Sequence, residues 1–191
     1  MVTIKASAKN KLLDKGYSEN SVQLWEDLKL NQPEIPKPKE IIDEILDSVL
    51  TEFELWEIKD RFNEILRTTL DDVYKRYLEY ERSASKTALV DTVTKRLPAA
   101  SSIDVANYLG DRINGMDAYF LSLSQGRKSR AGTTLEDVLE KLLRKLGYEF
   151  DAQPVVNGKP DFIFPSKKQY EKNANDAIVF TTKRTSRERW R

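Results

Sequence analysis

Apolar residues recur at helical spacing through most of this chain and gather into short strand-like runs only near its end. The first pattern is a short amphipathic stretch on Val22, Leu24, Trp25 and Leu28, with Ser18 or Asn20 placed to cap it. Pro33, Pro36 and Pro38 follow, so Asn31 to Lys39 reads as an extended linker with a boundary near residue 38. Ile41, Ile45, Leu46, Val49, Leu50, Phe53, Leu55, Ile58, Phe62, Ile65 and Leu66 then step by threes and fours, predicting helix with a break near Thr51. The pattern continues through Leu70, Val73, Tyr74, Tyr77 and Leu78. Pro98 to Ser102 predicts a loop, with Ser101 or Ser102 capping a helix through Val105, Leu109 and Ile113.

Beyond residue 120 the pattern changes. Ser124 to Thr134 is polar and holds Gly126, Gly132 and the basic trio Arg127, Lys128 and Arg130, which predicts a loop or helix entry followed by Thr134 as a candidate N-cap. Leu135, Val138, Leu139, Leu142, Leu143 and Leu146 predict an amphipathic helix that Gly147 stops. Tyr148 to Phe150, Val155-Val156, Phe162 to Phe164 and Ile178 to Phe180 predict strands, with Asn157-Gly158 as a hairpin turn. That order predicts an α/β fold with a mostly helical N-terminal region over residues 1–120 and a second region over residues 121–191. The aromatics Trp56, Phe62, Tyr74 and Tyr77 could stack on nucleic-acid bases, but at helical spacing they predict core or dimer contacts.

Composition sharpens the picture in two ways. With 39% hydrophobic and 33% charged residues the chain is an ordinary globular sequence, and no run approaches the length of a membrane span or a signal peptide, which predicts a cytoplasmic protein. The net charge of +1 hides an asymmetry: residues 121–191 hold 15 Lys/Arg against 9 Asp/Glu, leaving 17 against 22 for residues 1–120. A basic half of this kind suits a polyanion, although a solvated basic surface gives the same count. The absence of Cys and His excludes disulfides, thiolate metal sites, the usual zinc sites and His-based triads. Hydrolytic chemistry would run through carboxylates, lysines, hydroxyls and a hard cation, and Mg²⁺ fits best.

Three residues suit such chemistry. Glu136 lies in a predicted helix, Asp161 at the start of a strand after the Asn157-Gly158 turn, and Lys183 after the last strand. In-line hydrolysis of a phosphodiester needs carboxylate oxygens to place the cation, together with an ammonium or metal to orient water and offset developing charge. A Pro-Asp pair followed by a lysine is common in charged proteins and decides little alone.

Three blocks in order are more specific: Arg127-Lys-Ser-Arg130-Ala-Gly132-Thr-Thr-Leu-Glu136, Lys159-Pro-Asp161-Phe-Ile-Phe-Pro165-Ser, and Lys183-Arg-Thr-Ser-Arg187-Glu188-Arg189-Trp190-Arg191. Together they resemble the type II restriction endonucleases of the EcoRII, PspGI and SsoII group, within the PD-(D/E)XK nuclease superfamily. The resemblance covers residues 126–191. It implies a restriction-endonuclease-like core, with a mixed central sheet flanked by helices. The activity it implies is that of a Mg²⁺-dependent homodimer cutting double-stranded DNA at palindromes flanked by CC and GG, with a cognate DNA methyltransferase protecting the host's own sites. By position, Glu136 resembles the helix carboxylate, Asp161 the metal-binding aspartate and Lys183 the catalytic lysine, with Asp161 and Glu136 as metal ligands.

Arg187 and Glu188 resemble the base readers, since arginine can bond guanine O6 and N7 while glutamate accepts from cytosine N4. Arg127, Lys128 and Arg130 fit phosphate contacts, which position rather than specify. A salt-bridged helix start with a packed Trp190 would explain the Arg187 to Arg191 run as well, and a solvated loop the basic trio. Two features depart from the group. Thr181-Thr182 stands before the lysine where relatives often carry small or apolar residues, and the sequence given ends at Arg191, before the further acidic residue or glutamine those relatives place beyond the lysine. The resemblance therefore predicts a piece of a longer enzyme; the alternative is a non-catalytic DNA-binding protein with a degenerate nuclease core.

Overall fold

The computed structural model describes residues 6–182 and divides the chain into two compact units. Unit 1 takes residues up to Pro36 and Tyr77–Lys128, and unit 2 takes Lys37–Arg76 and the residues from Ser129 onward. The predicted boundary near residue 38 falls at the first passage between units. Lys183, Arg187 and Glu188 lie outside the described residues.

Unit 1 is helical. It contains α1 (Ala6–Asp14), α2 (Glu19–Asn31), the C-terminal part of α5 (Phe62–Arg96), α6 (Ser102–Gly110) and the N-terminal part of α7 (Ile113–Lys145). The Ser18 side chain accepts the Ser21 N–H at 3.2 Å, and Ser101 with Asp104 forms a reciprocal cap on α6, so both predicted caps are present. Leu24, Trp25 and Leu28 of α2 are buried with Ala88, Ala118, Tyr119 and Leu123. At the far end of α2, Arg96 donates two bonds to Asp27 at 2.7 and 2.8 Å, and Asn31 donates to Thr92 at 2.9 Å.

Unit 2 combines helices with the sheet: α3 (Pro38–Glu52), α4 (Leu55–Asp60), the first part of α5, the second part of α7, β1 (Asp151–Ala152), β2 (Phe162–Phe164), α8 (Lys167–Lys172), a 3₁₀ turn at Ala174–Asp176 and β3 (Ile178–Phe180). Pro38 opens α3, where the Glu40 carboxylate accepts the Lys37 N–H at 2.9 Å, and the predicted break near Thr51 is the gap between α3 and α4. The three strands pair antiparallel in the order β1-β2-β3. Phe162 and Ile163 of β2 are buried on both faces, and Phe162 packs with Phe150 and Leu139 of α7. The fold is α/β, mostly helical with a small sheet. Among the described residues this sheet is antiparallel, where the resemblance implied a mixed one.

Two local expectations need correction. Ser124 to Thr134 is not a loop but the middle of α7, which is continuous from Ile113 to Lys145. Instead of capping a new helix, Thr134 donates its hydroxyl to the Arg130 carbonyl at 2.9 Å. The helical cost of Gly126 and Gly132, about 1 kcal/mol each, is offset by buried residues on either side, Leu123 and Val138-Leu139. Val155-Val156 does not extend a hairpin arm, because Pro154 and Pro160 have no N–H to continue the ladder; only a Val156–Gly158 bridge forms. Of the four aromatics expected in core or dimer contacts, Tyr77 is buried and Phe62 packs against the cluster of Leu139, Phe150 and Phe162, while Tyr74 is 46% and Trp56 70% exposed.

Two glycines of α7 test this packing in opposite directions. A Cβ on Gly115 would lie 2.2 Å from the Ser21 carbonyl oxygen of α2, whereas one on Gly132 meets nothing within 4 Å. Gly115→Ala is expected to cost about 1–3 kcal/mol of stability, and Gly132→Ala to add about 0.5–1 kcal/mol. Urea unfolding of the two variants checks both signs.

Candidate nuclease site

The clearest assembly around the predicted residues lies in unit 2, at the end of the sheet where β2 begins. Asp161 stands one step before β2 and is half-buried. Its Oδ2 accepts both the backbone N–H of Thr182 at 2.5 Å and the Thr182 hydroxyl at 2.8 Å. The register explains the meeting: Phe162 pairs with Phe180, so the residues just past β3 arrive beside the residue just before β2. Two donors on one oxygen fix the carboxylate plane and leave Oδ1 without a partner among the described residues.

Glu136 reaches the same neighbourhood from α7. Its Oε2 accepts from the Gln153 side-chain amide at 3.0 Å, while the Gln153 backbone N–H donates to the Asp161 carbonyl at 2.7 Å. One residue in the β1–β2 connection therefore touches both predicted carboxylate residues. The backbone of Gln153 has φ +49°, in the left-handed region that non-glycine residues seldom occupy. Neither Gln153 nor Thr182 stood out as functional in the sequence. A loop glutamine carries no local signal, and Thr182 registered only as a departure from the group's pattern.

The donor set suits a hard cation. Among the described residues no three carboxylates gather round one point, but Mg²⁺ is commonly held by one or two carboxylates, with waters and substrate phosphate completing its shell. Asp137, next to Glu136, does not resemble a ligand: burial, reinforced by Glu140, raises its carboxyl above the usual range against the opposing pull of Lys39.

The basic trio is divided. Lys128 is exposed and Arg130 partly so. Arg127 also has an internal partner: its guanidinium pairs with Glu81, a residue only 4% exposed whose carboxylate also accepts from the Tyr77 hydroxyl at 3.0 Å. This pairing spans 46 residues of sequence and could not be read from the local run.

With this geometry in place, the relatives of the chain become informative. The family model described as EcoRII C terminal matches residues 92–191, just over half of the sequence. The chain belongs to the EcoRII C-terminal family. It is 35% identical over 80 residues to the type II restriction enzyme SsoII of Shigella sonnei, covering 37% of this chain and 26% of that enzyme. To the type II restriction enzyme EcoRII of Escherichia coli it is 41% identical over 76 residues, covering 37% of this chain and 19% of that one. The chain thus spans about a quarter or less of the length of these curated relatives.

Solved structures extend the likeness of this EcoRII C-terminal family member. Metal-depleted Ecl18kI in complex with uncleaved DNA superposes with a TM-score of 0.72 at 22% identity, covering 90% of this chain and 60% of that one. The PspGI–substrate DNA complex gives 0.56 at 25% identity, covering 82% and 58%. The shared fold therefore reaches into the N-terminal helices, well before residue 126 where the sequence resemblance began.

Arg127 and Lys128 separate a structural cation from an exposed one. Arg127→Ala leaves the buried Glu81 carboxylate uncompensated and is expected to cost about 3 kcal/mol, whereas Lys128→Ala should stay within about 0.5 kcal/mol. Chemical denaturation in the absence of DNA measures the difference.

Proposed function

We propose that this protein is a type II site-specific deoxyribonuclease, hydrolysing DNA phosphodiester bonds with Mg²⁺ at a palindrome flanked by CC and GG, of the CCWGG or CCNGG kind. The observation that carries this reading is the Asp161 carboxylate held by Thr182, on a residue whose backbone carbonyl accepts from the same Gln153 whose side chain reaches Glu136. Membership of the EcoRII C-terminal family and a fold shared with two restriction endonucleases bound to DNA support it. No helix among the described residues is long and apolar enough to cross a membrane, in keeping with a cytoplasmic enzyme.

In this reading Asp161 and Glu136 offer as metal ligands the oxygens that have no partner among the described residues. Mg²⁺, when bound, supplies Lewis-acid charge at the scissile phosphate and makes a bound water more acidic. Lys183, the residue after Thr182 in sequence, orients the attacking water and offsets the charge that develops on phosphorus-bound oxygen. Arg187 and Glu188 read a G·C pair in the major groove, and Arg127, Lys128 and Arg130 contact phosphate, Arg127 with the part of its guanidinium that Glu81 leaves open. A homodimer places one such site on each strand of the palindrome, and a cognate methyltransferase protects the host's copies of it.

The test is digestion of mixed-sequence plasmid DNA with and without Mg²⁺, followed by sequencing of the fragment ends. Discrete ends at a CC/GG palindrome are expected, and Asp161→Ala should slow cleavage by at least about a hundredfold while a mobility-shift assay still shows binding. Specific binding with no cutting by the unaltered protein would identify a DNA-binding protein with a degenerate core. Cleavage retained by Asp161→Ala would sink the site assignment.

A further inference from the structure

The β1–β2 connection does more than join two strands. Gln153 is exposed, so its geometry is not forced by core packing, and φ +49° lies in the left-handed region that non-glycine residues seldom occupy. Its backbone N–H reaches the Asp161 carbonyl, and its side-chain amide reaches Glu136 Oε2. The strained backbone and the two bonds belong together. The main chain anchors Gln153 to the strand start that carries Asp161, and the side chain then reaches α7.

The two carboxylates are treated alike. Asp161 has Oδ2 occupied by Thr182 and Oδ1 without a partner among the described residues; Glu136 has Oε2 occupied by Gln153 and Oε1 likewise without one. The donors that fix them are a hydroxyl, a backbone N–H and a primary amide, none of which carries charge. A lysine or arginine at position 153 would hold Glu136 as firmly, but its positive charge would compete with a cation for the same carboxylate. A neutral donor orients Glu136 without lowering its attraction for metal.

We propose that Gln153 is a positioning residue that sets Glu136 relative to Asp161, so that both carboxylates meet one divalent cation. The inference rests on the reading of Asp161 and Glu136 as metal ligands given above. It adds a residue that touches neither metal nor DNA and acts only through Glu136.

The experiment compares Gln153→Met, which keeps the length and removes the amide, with Gln153→Gly, which removes the amide and relieves the backbone at φ +49°. For each full-length variant, Mn²⁺ binding is measured by titration calorimetry without DNA, and the Mg²⁺ concentration giving half-maximal plasmid cleavage is measured alongside. Loss of such an outer partner is expected to weaken metal binding about 10- to 100-fold. Both variants should show that loss in calorimetry and a parallel rise in the Mg²⁺ midpoint, although Gln153→Gly leaves the thermal unfolding temperature unchanged or raised. Should Gln153→Met not fold, the glycine variant alone decides.

Restored metal affinity in Gln153→Asn, whose shorter amide can reach Glu136 only after a small shift, would support the amide as the active feature. Unchanged Mn²⁺ affinity in both amide-free variants would overturn the proposal, as would a loss in cleavage rate with the metal midpoint unmoved. Asp161→Ala separates this failure from failure of the site itself. If that variant loses metal while the Gln153 variants do not, the site stands and the positioning role falls; if it binds Mn²⁺ as tightly as the unaltered protein, the metal site is elsewhere.

Discussion

The register between β2 and β3 is the constraint on which the candidate site depends. Phe162 opposite Phe180 and Ile163 opposite Val179 fix which residue arrives beside Asp161 when β3 ends. Because side chains alternate faces along a strand, a slip of one residue would turn Phe162 and Ile163 over and bring a different residue to the carboxylate. Those two side chains are almost wholly buried, Phe162 against Phe150 and Leu139, so the core resists such a slip. Hydrophobic packing along this short strand thus holds a polar contact at the strand end to within hydrogen-bonding distance. The catalytic reading gains its geometry from the core and not from the polar residues themselves.

This dependence explains what could be read in advance. Helices appear wherever the apolar period is sustained, as in Ile41 to Leu66, and the caps at Ser18 and Ser101 follow from side chains that satisfy nearby backbone donors. Asp161 and Glu136 stand out in the sequence through their places in the three blocks that resemble the restriction endonuclease group, since carboxylates at a strand start and on a helix decide little alone. Gln153 and Thr182 were not, since their roles come from partners 17 and 21 residues away. The Thr181-Thr182 pair did register as a departure from the group's usual small or apolar residues, and the bond to Asp161 now gives Thr182 a reason to be there.

The misread middle of α7 has a related cause. Glycines, serines and basic residues between Ser124 and Thr134 carry the local chemistry of a loop, and local chemistry alone predicts one. Helix persists because buried residues at both ends, in two different units, fix the flanking turns, while Thr134 returns its hydroxyl to the helix's own carbonyl. The same tertiary logic gives Arg127 a partner that the sequence did not show: besides being one of three cations suited to phosphate, it pairs with the nearly buried Glu81, which needs a positive partner.

Electrostatics gives the two polar clusters different designs. Around Glu81 a full positive charge meets a full negative one, with a tyrosine hydroxyl adding a third bond; the result is closed, and it leaves little attraction for any further ion. Around Asp161 and Glu136 the donors are a backbone amide, a hydroxyl and a side-chain amide, none of which carries charge. A carboxylate held in this way is oriented without being neutralised. Asp161 just before β2 and Glu136 on α7 would each meet the proposed cation with a charge that no described cation already pairs. That difference, rather than the number of acidic residues, favours the metal role proposed for Asp161 and Glu136 and a structural one for the Glu81–Arg127 pair.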